Sequence, residues 1–383
     1  MHRPVSESVS DPVHYARLDA IRGIAALWVM LFHAWQFGTP PGPVPNESLS
    51  WLAYQLMAAG WAGVPVFFGL SGFLLTTLAL QRPIDTSAAF WTRRAKRILP
   101  AYWFQCAMLA ALILAGWDIA GVHVRSIDAL PSQLLMTYNL HPDGARPWLA
   151  PWWSLPVEFA FYLAFPLLVR ARGSWIALLI ACAALSCLVR WLPPQLWPDS
   201  RWPLIVAMHL PGQLDLFVAG MLAAHCHHRY AHAISTRTAN LVWTGVVLAI
   251  AIWVVLPAWL GAPAPRFVAG SPWWAGWNLA LGLLVGAACW SGVRLDHARR
   301  RPGALVHALA WTGRSSYSLY LWHLPWVIAC AALAAQAPLH PLRGALLFVI
   351  ALAPSLGTAW LSWRLVELPF LRRTSTARQP PQA

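Results

Sequence analysis

Apolar residues in this chain gather into long blocks, separated by short polar or Pro/Gly-rich stretches. A helix needs about 20 mostly apolar residues to cross the hydrocarbon layer of a bilayer. Ten blocks qualify: 19–37, 58–80, 98–116, 152–169, 174–192, 203–224, 240–259, 274–291, 315–335 and 344–363. The pattern predicts an all-α polytopic membrane bundle of about ten transmembrane helices. Pro and Gly cluster at 38–45 and 256–272, where they read as turns outside the membrane. The predicted organisation is a tail at 1–17, a membrane domain at 18–370 and a second tail at 371–383.

Composition supports a lipid environment. Of 383 residues, 58% are hydrophobic and only 10% charged, where a soluble domain carries about a quarter charged residues. The net charge of +14 would suit nucleic acid if the basic residues formed a polar face. They form short clusters between apolar blocks instead, which is a topology signal, and no nucleic-acid partner is expected. The six cysteines fall mostly inside apolar blocks with no CxxC pair, so neither a disulfide framework nor a zinc site is predicted. The polar N-terminal stretch lacks the short apolar core and cleavage site of a signal peptide, so the first block is read as a retained span.

The positive-inside rule orients the bundle. With the N-terminus in the cytoplasm, only six of the 27 basic residues fall outside: Arg125, Arg146, Arg190, Arg201, Arg266 and Arg343. The inner side holds Arg93, Arg94, Lys96 and Arg97 after the second block, and Arg299, Arg300 and Arg301 before the ninth. Both termini are predicted to be cytoplasmic.

Polar residues inside the blocks are the candidates for chemistry, because ionisable groups at membrane depth are costly and face a protein interior or a wet cavity. In RLDAIRGIAALWVMLFH (17–33), Arg22 and His33 are eleven residues apart. At 100° and 1.5 Å per residue they share a helix face and differ by about 16 Å in height. Glu158 in PWWSLPVEFAFYL enters from the other side and is predicted near the depth of His33, where it would pair with the imidazole. The four basic residues of RRAKR (93–97) either anchor a helix end or clamp phosphate, which guanidinium forks bind bidentately. In GLSGF, Ser71 sits between Gly69 and Gly72, a small-residue packing surface. Asp215 and His323 are two further intramembrane polar groups. The run HCHHRYAH (225–232) is placed in a basic inner loop without an acidic partner, and no metal site is assigned to it.

These stretches together resemble the acyltransferase-3 family of integral membrane proteins, which includes O-antigen and other polysaccharide O-acetylases. The first-span pattern of Leu-Asp, Arg, ten residues and His matches at Leu18, Asp19, Arg22 and His33. FFGLSGF at 67–73, RRAKRILPAYW at 93–103, WSLPVEFAFYL at 153–163, SYSLYLWHLP at 316–325 and VELPF at 366–370 follow in order. The chain departs from the family at Gln213, where members often carry Arg, which puts a charge role there in doubt.

The resemblance implies transfer of an acyl group, usually acetyl, from cytoplasmic acyl-CoA to a hydroxyl of a glycan, glycolipid or small acceptor. It also implies a multi-pass protein of the bacterial inner membrane. His33 is then the expected general base, with Glu158 orienting it, although an acyl-His33 intermediate is also open. Arg93, Arg97 and Arg22 would hold the donor phosphates, and Arg22 is alternatively an oxyanion stabiliser. Ser71, Tyr162 and His323 are expected to line the acceptor side, and no metal is required. A proton-coupled transporter or flippase is the rival reading of the same intramembrane charges, without the inverted repeat that such folds show.

Overall fold

In a computed structural model, residues 15–38, 49–116, 127–140, 146–170, 174–230, 234–259, 272–298, 302–334 and 343–371 are described. Most of both predicted tails, most of the two Pro/Gly-rich turns, and Arg125, Arg266, Arg299, Arg300, Arg301 and His232 lie outside these residues. The regular elements among the described residues are all helices. In chain order they are α1 (Ala16–Gly38), α2 (Leu49–Ala58), α3 (Gly63–Gln81), α4 (Ser87–Leu114), α5 (Leu130–Leu134), α6 (Leu155–Arg170) and α7 (Trp175–Leu196). Then follow α8 (Trp202–Met208), α9 (Leu210–Tyr230), α10 (Thr236–Trp259), α11 (Pro272–His297), α12 (Ala304–Arg314), α13 (Ser316–Leu333) and α14 (Arg343–Ser362).

Nine of the described helical segments are long and apolar enough to cross a membrane. The remaining predicted block, 315–335, is α13, whose buried Ser316, Ser318 and His323 lower its hydropathy. It tolerates them because the half of the helix that carries them, residues 316–324, is largely buried inside the bundle.

The local sequence explains several boundaries. Thr86 caps α4, its side chain accepting a hydrogen bond from the Ala89 amide at 3.2 Å. The helix therefore starts well before residue 98, and the basic run 93–97 lies within it and not in a loop. Ser174 caps α7 in the same way. The histidines His225, His227 and His228 belong to the last turns of α9, so the described part of that run is helical, contrary to the loop expected.

Burial separates an inner set of helices from an outer set. The most apolar window of Trp51–Gln81 is 67% buried and that of α1 is 56% buried, whereas the windows of α7 and α10 are each 17% buried. The inner helices approach through glycines. A Cβ on Gly72 would strike the Phe217 carbonyl, and one on Gly220 the Gly69 carbonyl, so α3 and α9 cross backbone to backbone. Gly23 of α1 and Gly313 of α12 meet in the same manner against the Leu309 and Asp19 carbonyls. With α3, α11, α12, α13 and α14 packed around it, α1 has no broad lipid face at its centre. Arg22 and His33 both line cavities inside the protein.

Candidate active site

Two neighbouring cavities lie on either side of Val64 and Tyr320, which line both. One, about 260 Å³, is lined by Arg22, Arg94 and Arg97 together with Ser71, Glu158, Tyr162 and Tyr317. The other, about 240 Å³, is lined by His33, Gln36, Trp61, Trp153, Arg190, Gln213, Trp277 and Asn278. Arg22 and His33 thus share a face of α1, as the spacing predicts, and each opens onto a different chamber.

The basic chamber is built by α1, α3, α4, α6 and α13. Arg94 and Arg97 are three residues apart on α4 and project to one side. The Arg94 guanidinium lies over the Phe90 and Tyr162 rings, 5.6 and 6.0 Å from their centroids, and its buried Nε has no hydrogen-bond partner. Arg22 Nη1 is 3.9 Å from Asp19 Oδ1. Arg93, expected in the clamp, does not line the chamber, and Arg94 occupies the position assigned to it. Any of four neighbouring basic residues fits a helical clamp by spacing, so the rotation of α4 makes the choice.

Glu158 is fixed inside this basic chamber. Its Oε1 accepts hydrogen bonds from Ser71 Oγ at 3.1 Å and from the Tyr162 hydroxyl at 2.5 Å. The expected pairing of Glu158 with His33 does not form. The reason is depth on the way into α6, which the chain enters through a 3-10 turn at Ala150–Ser154. Ala150, Pro151 and Trp153 stand at the His33 chamber, and Glu158, five residues beyond Trp153, is carried past it. Ser71 and Tyr162, predicted on the acceptor side with His33, belong to the chamber of Arg22 for the same reason of depth.

His33 finds a different partner. Its Nδ1 lies 2.9 Å from the Val29 carbonyl and 3.2 Å from Nε2 of His323. The His323 Nδ1 lies 3.1 Å from the Leu319 carbonyl. The rings are 5.0 Å apart at 52°, and both residues are buried, 7% and 1% exposed. His323 does not line the chamber; it stands behind His33. One turn toward the basic chamber, the Tyr320 hydroxyl meets Ser154 Oγ at 2.7 Å and donates to the Pro151 carbonyl.

Other intramembrane polar groups pair with one another or with backbone carbonyls. Asp215 takes a two-pronged ion pair from Arg190 (2.6 and 3.2 Å), and Arg190 also reaches the Gly212 and Ala275 carbonyls. Arg190 was expected in an outer loop and belongs to α7. Gln213 accepts from Asn278 Nδ2 at 3.1 Å and donates to the Ala207 carbonyl at 2.8 Å, so the position where a charge role was doubted carries an amide pair. Glu367 of VELPF accepts from Ser318. No group of three or more potential metal ligands occurs among the described residues.

A sequence model of a family described as "Acyltransferase domain", the acyltransferase-3 family, matches residues 15–364. The chain belongs to this family. It is a multi-pass membrane acyltransferase. It is 27% identical to "Nodulation protein 10" of Rhizobium leguminosarum bv. viciae, over 94% of this chain and 95% of that protein. It is 24% identical to "Putative peptidoglycan O-acetyltransferase YrhL" of Bacillus subtilis, over 81% of this chain and 48% of that longer protein. A stretch covering 40% of this chain is 30% identical to "Putative O-acetyltransferase SACOL0978" of Staphylococcus aureus (strain COL), of which it covers 24%. The chain therefore spans about half or less of the latter two proteins. No solved structure matches it.

The geometry adds chamber-lining residues that motif reading did not single out. Arg94 is inside a quoted motif but was passed over for Arg93. Tyr317 and Tyr320 lie in SYSLYLWHLP, and the successive i, i+3 steps from Tyr317 to Tyr320 to His323 were the available signal.

Proposed function

We propose that this acyltransferase moves an acyl group, acetyl in the first instance, from cytoplasmic acyl-CoA to a hydroxyl of a cell-surface glycan or a similar acceptor. His33 is the general base in this reading. The observation that carries it is the pair of chambers that share Val64 and Tyr320 in their linings, one basic and one bearing His33. The donor phosphates bind Arg94, Arg97 and Arg22 as charge-assisted pairs. The thioester arm extends along the α1 face toward Tyr320 and His33, about 16 Å from Arg22 by helix rise. Glu158, with Ser71 and Tyr162, holds the arginine cluster in register and acts on the donor side.

Between the chambers the acceptor oxygen attacks the thioester carbonyl. The hydroxyl proton passes to His33 Nε2, the new C–O bond forms, and the C–S bond breaks. The imidazolium then returns the proton to the departing sulfur. The acceptor sits among Trp61, Trp153 and Trp277 and the Gln213–Asn278 amides, a lining suited to a neutral ring carrying hydroxyls. The distribution of basic residues supports cytoplasmic termini and a basic chamber on the cytoplasmic side, and a bacterial inner membrane is the setting this implies. O-acetyltransferase names among the relatives support the O-acetyl reading.

The test is purified protein in nanodiscs with radiolabelled acetyl-CoA and a panel of acceptors: peptidoglycan fragments, O-polysaccharide and exopolysaccharide. CoA release and label transfer that require His33 are expected. Release independent of His33 would remove this mechanism, and movement of labelled substrate across proteoliposomes without covalent transfer would establish a transporter instead.

A further inference from the structure

We infer that His323 is the positioning residue for His33, occupying the place of the carboxylate orienter that the site lacks. The inference rests on the general-base reading above and extends it to a second histidine, 290 residues away in the chain.

Two carbonyls decide the argument. A carbonyl only accepts, so His33 carries its proton on Nδ1, facing Val29, and His323 carries its own on Nδ1, facing Leu319. In the neutral rings both Nε2 atoms are then bare. The 3.2 Å contact between His33 Nδ1 and His323 Nε2 has one consistent assignment: the His33 Nδ1–H is shared between the Val29 carbonyl and the lone pair of His323. Two acceptors on one side of the ring hold its plane and its tautomer. The opposite nitrogen, Nε2, has no protein partner among the described residues and is the atom left to take a proton in the chamber.

His323 is suited to this role by its own fixation. It is 1% exposed, its Nδ1 is anchored within α13, and Tyr320, one turn away, is tied to Ser154 and Pro151. When His33 accepts a proton at Nε2, the positive charge spreads to Nδ1–H, where the His323 lone pair and the Val29 carbonyl both strengthen their bonds. The proton itself stays on His33, and His323 neither gains nor loses one. A second imidazole does with a lone pair what a carboxylate does with a charge, and introduces no net charge into the bundle.

The geometry makes an atom-specific prediction. A glutamine places its side-chain oxygen near the position of imidazole Nε2, whereas asparagine reaches only as far as Nδ1. His323→Leu is expected to lower kcat for acetyl-CoA turnover in nanodiscs 10- to 100-fold, with KM for acetyl-CoA within about twofold. His323→Gln is expected to recover most of kcat, and His323→Asn to behave as the leucine variant. If His323→Leu does not fold, the Gln and Asn variants alone carry the comparison.

A second readout is independent of turnover. In lipid-reconstituted protein labelled with ¹⁵N-histidine, a ¹⁵N–¹⁵N correlation should join a protonated Nδ1 of His33 to an unprotonated Nε2 of His323, and disappear in His323→Gln. Equal activity of the Gln and Asn variants, a KM effect without a kcat effect, or a proton found on His323 Nε2 would each overturn the inference. Absence of any His33-dependent turnover with the ¹⁵N correlation intact would instead overturn the general-base reading and leave the histidine pair standing.

Discussion

The two chambers are of nearly equal size and differ in fixed charge. The one at Arg22 collects three guanidinium groups on two helices, with Glu158 in its lining and Asp19 3.9 Å from Arg22, so positive charge is in excess. The one at His33 contains Arg190, but Asp215 matches that charge within 3.2 Å, and the rest of its polar lining is imidazole and amide. A chamber with surplus positive charge selects phosphate; one with internally matched charge selects by shape, stacking and hydrogen bonds. In the proposed function this contrast divides donor from acceptor, and each prediction attacks one side of it.

The largest effect belongs to the neutral chamber. His33→Ala should reduce turnover about 10²–10⁴-fold while acetyl-CoA affinity, measured by calorimetry, stays within about twofold. A comparable loss of affinity would mean that His33 reads the donor and that the chambers are one site. Next comes the ion pair. Asp215→Ala leaves the Arg190 guanidinium buried without its counter-ion, which costs roughly 3–5 kcal/mol. The expected result is a lower thermal unfolding midpoint in nanodiscs, with donor affinity of the folded fraction unchanged. A variant that unfolds normally but loses acceptor transfer would give the pair a chemical role.

The basic chamber yields the third and fourth tests. A hydrogen bond to a charged group contributes about 1.5–3 kcal/mol, so Arg94→Ala should weaken acetyl-CoA binding roughly 10- to 100-fold. An acetylated pantetheine without phosphates should not distinguish the variant from the parent protein. The smallest effect is expected of Arg93→Ala, within about twofold in donor affinity, because that side chain does not line the chamber. If Arg93 and Arg94 prove equivalent, the run is an electrostatic anchor at the membrane surface and not a clamp.

The histidine pair and the displaced glutamate show where sequence reasoning stopped. Arg22 and His33 occupy one helix, and helical periodicity alone places them on one face. His33 and His323 occupy two helices, and nothing in their spacing says that they touch. The depth of Glu158 depends on where the chain enters the bundle, which a hydropathy block does not reveal, and five residues separate Trp153 at one chamber from Glu158 at the other.

What the amino-acid sequence determined by itself is therefore the membrane bundle, the helix blocks with their ends off by up to eleven residues at the start of α4, the family, and the shared face of α1. These follow from quantities that add along the chain: transfer free energy over about 20 residues, basic residues per connection, and 100° per step. Tertiary structure alone decided the partner of His33, the chamber of Glu158, and the choice of Arg94 over Arg93. Those depend on the relative rotation and depth of neighbouring helices, set by contacts between residues distant in the chain, as where α3 crosses α9 at Gly72 and Gly220 and α1 crosses α12 at Gly23 and Gly313.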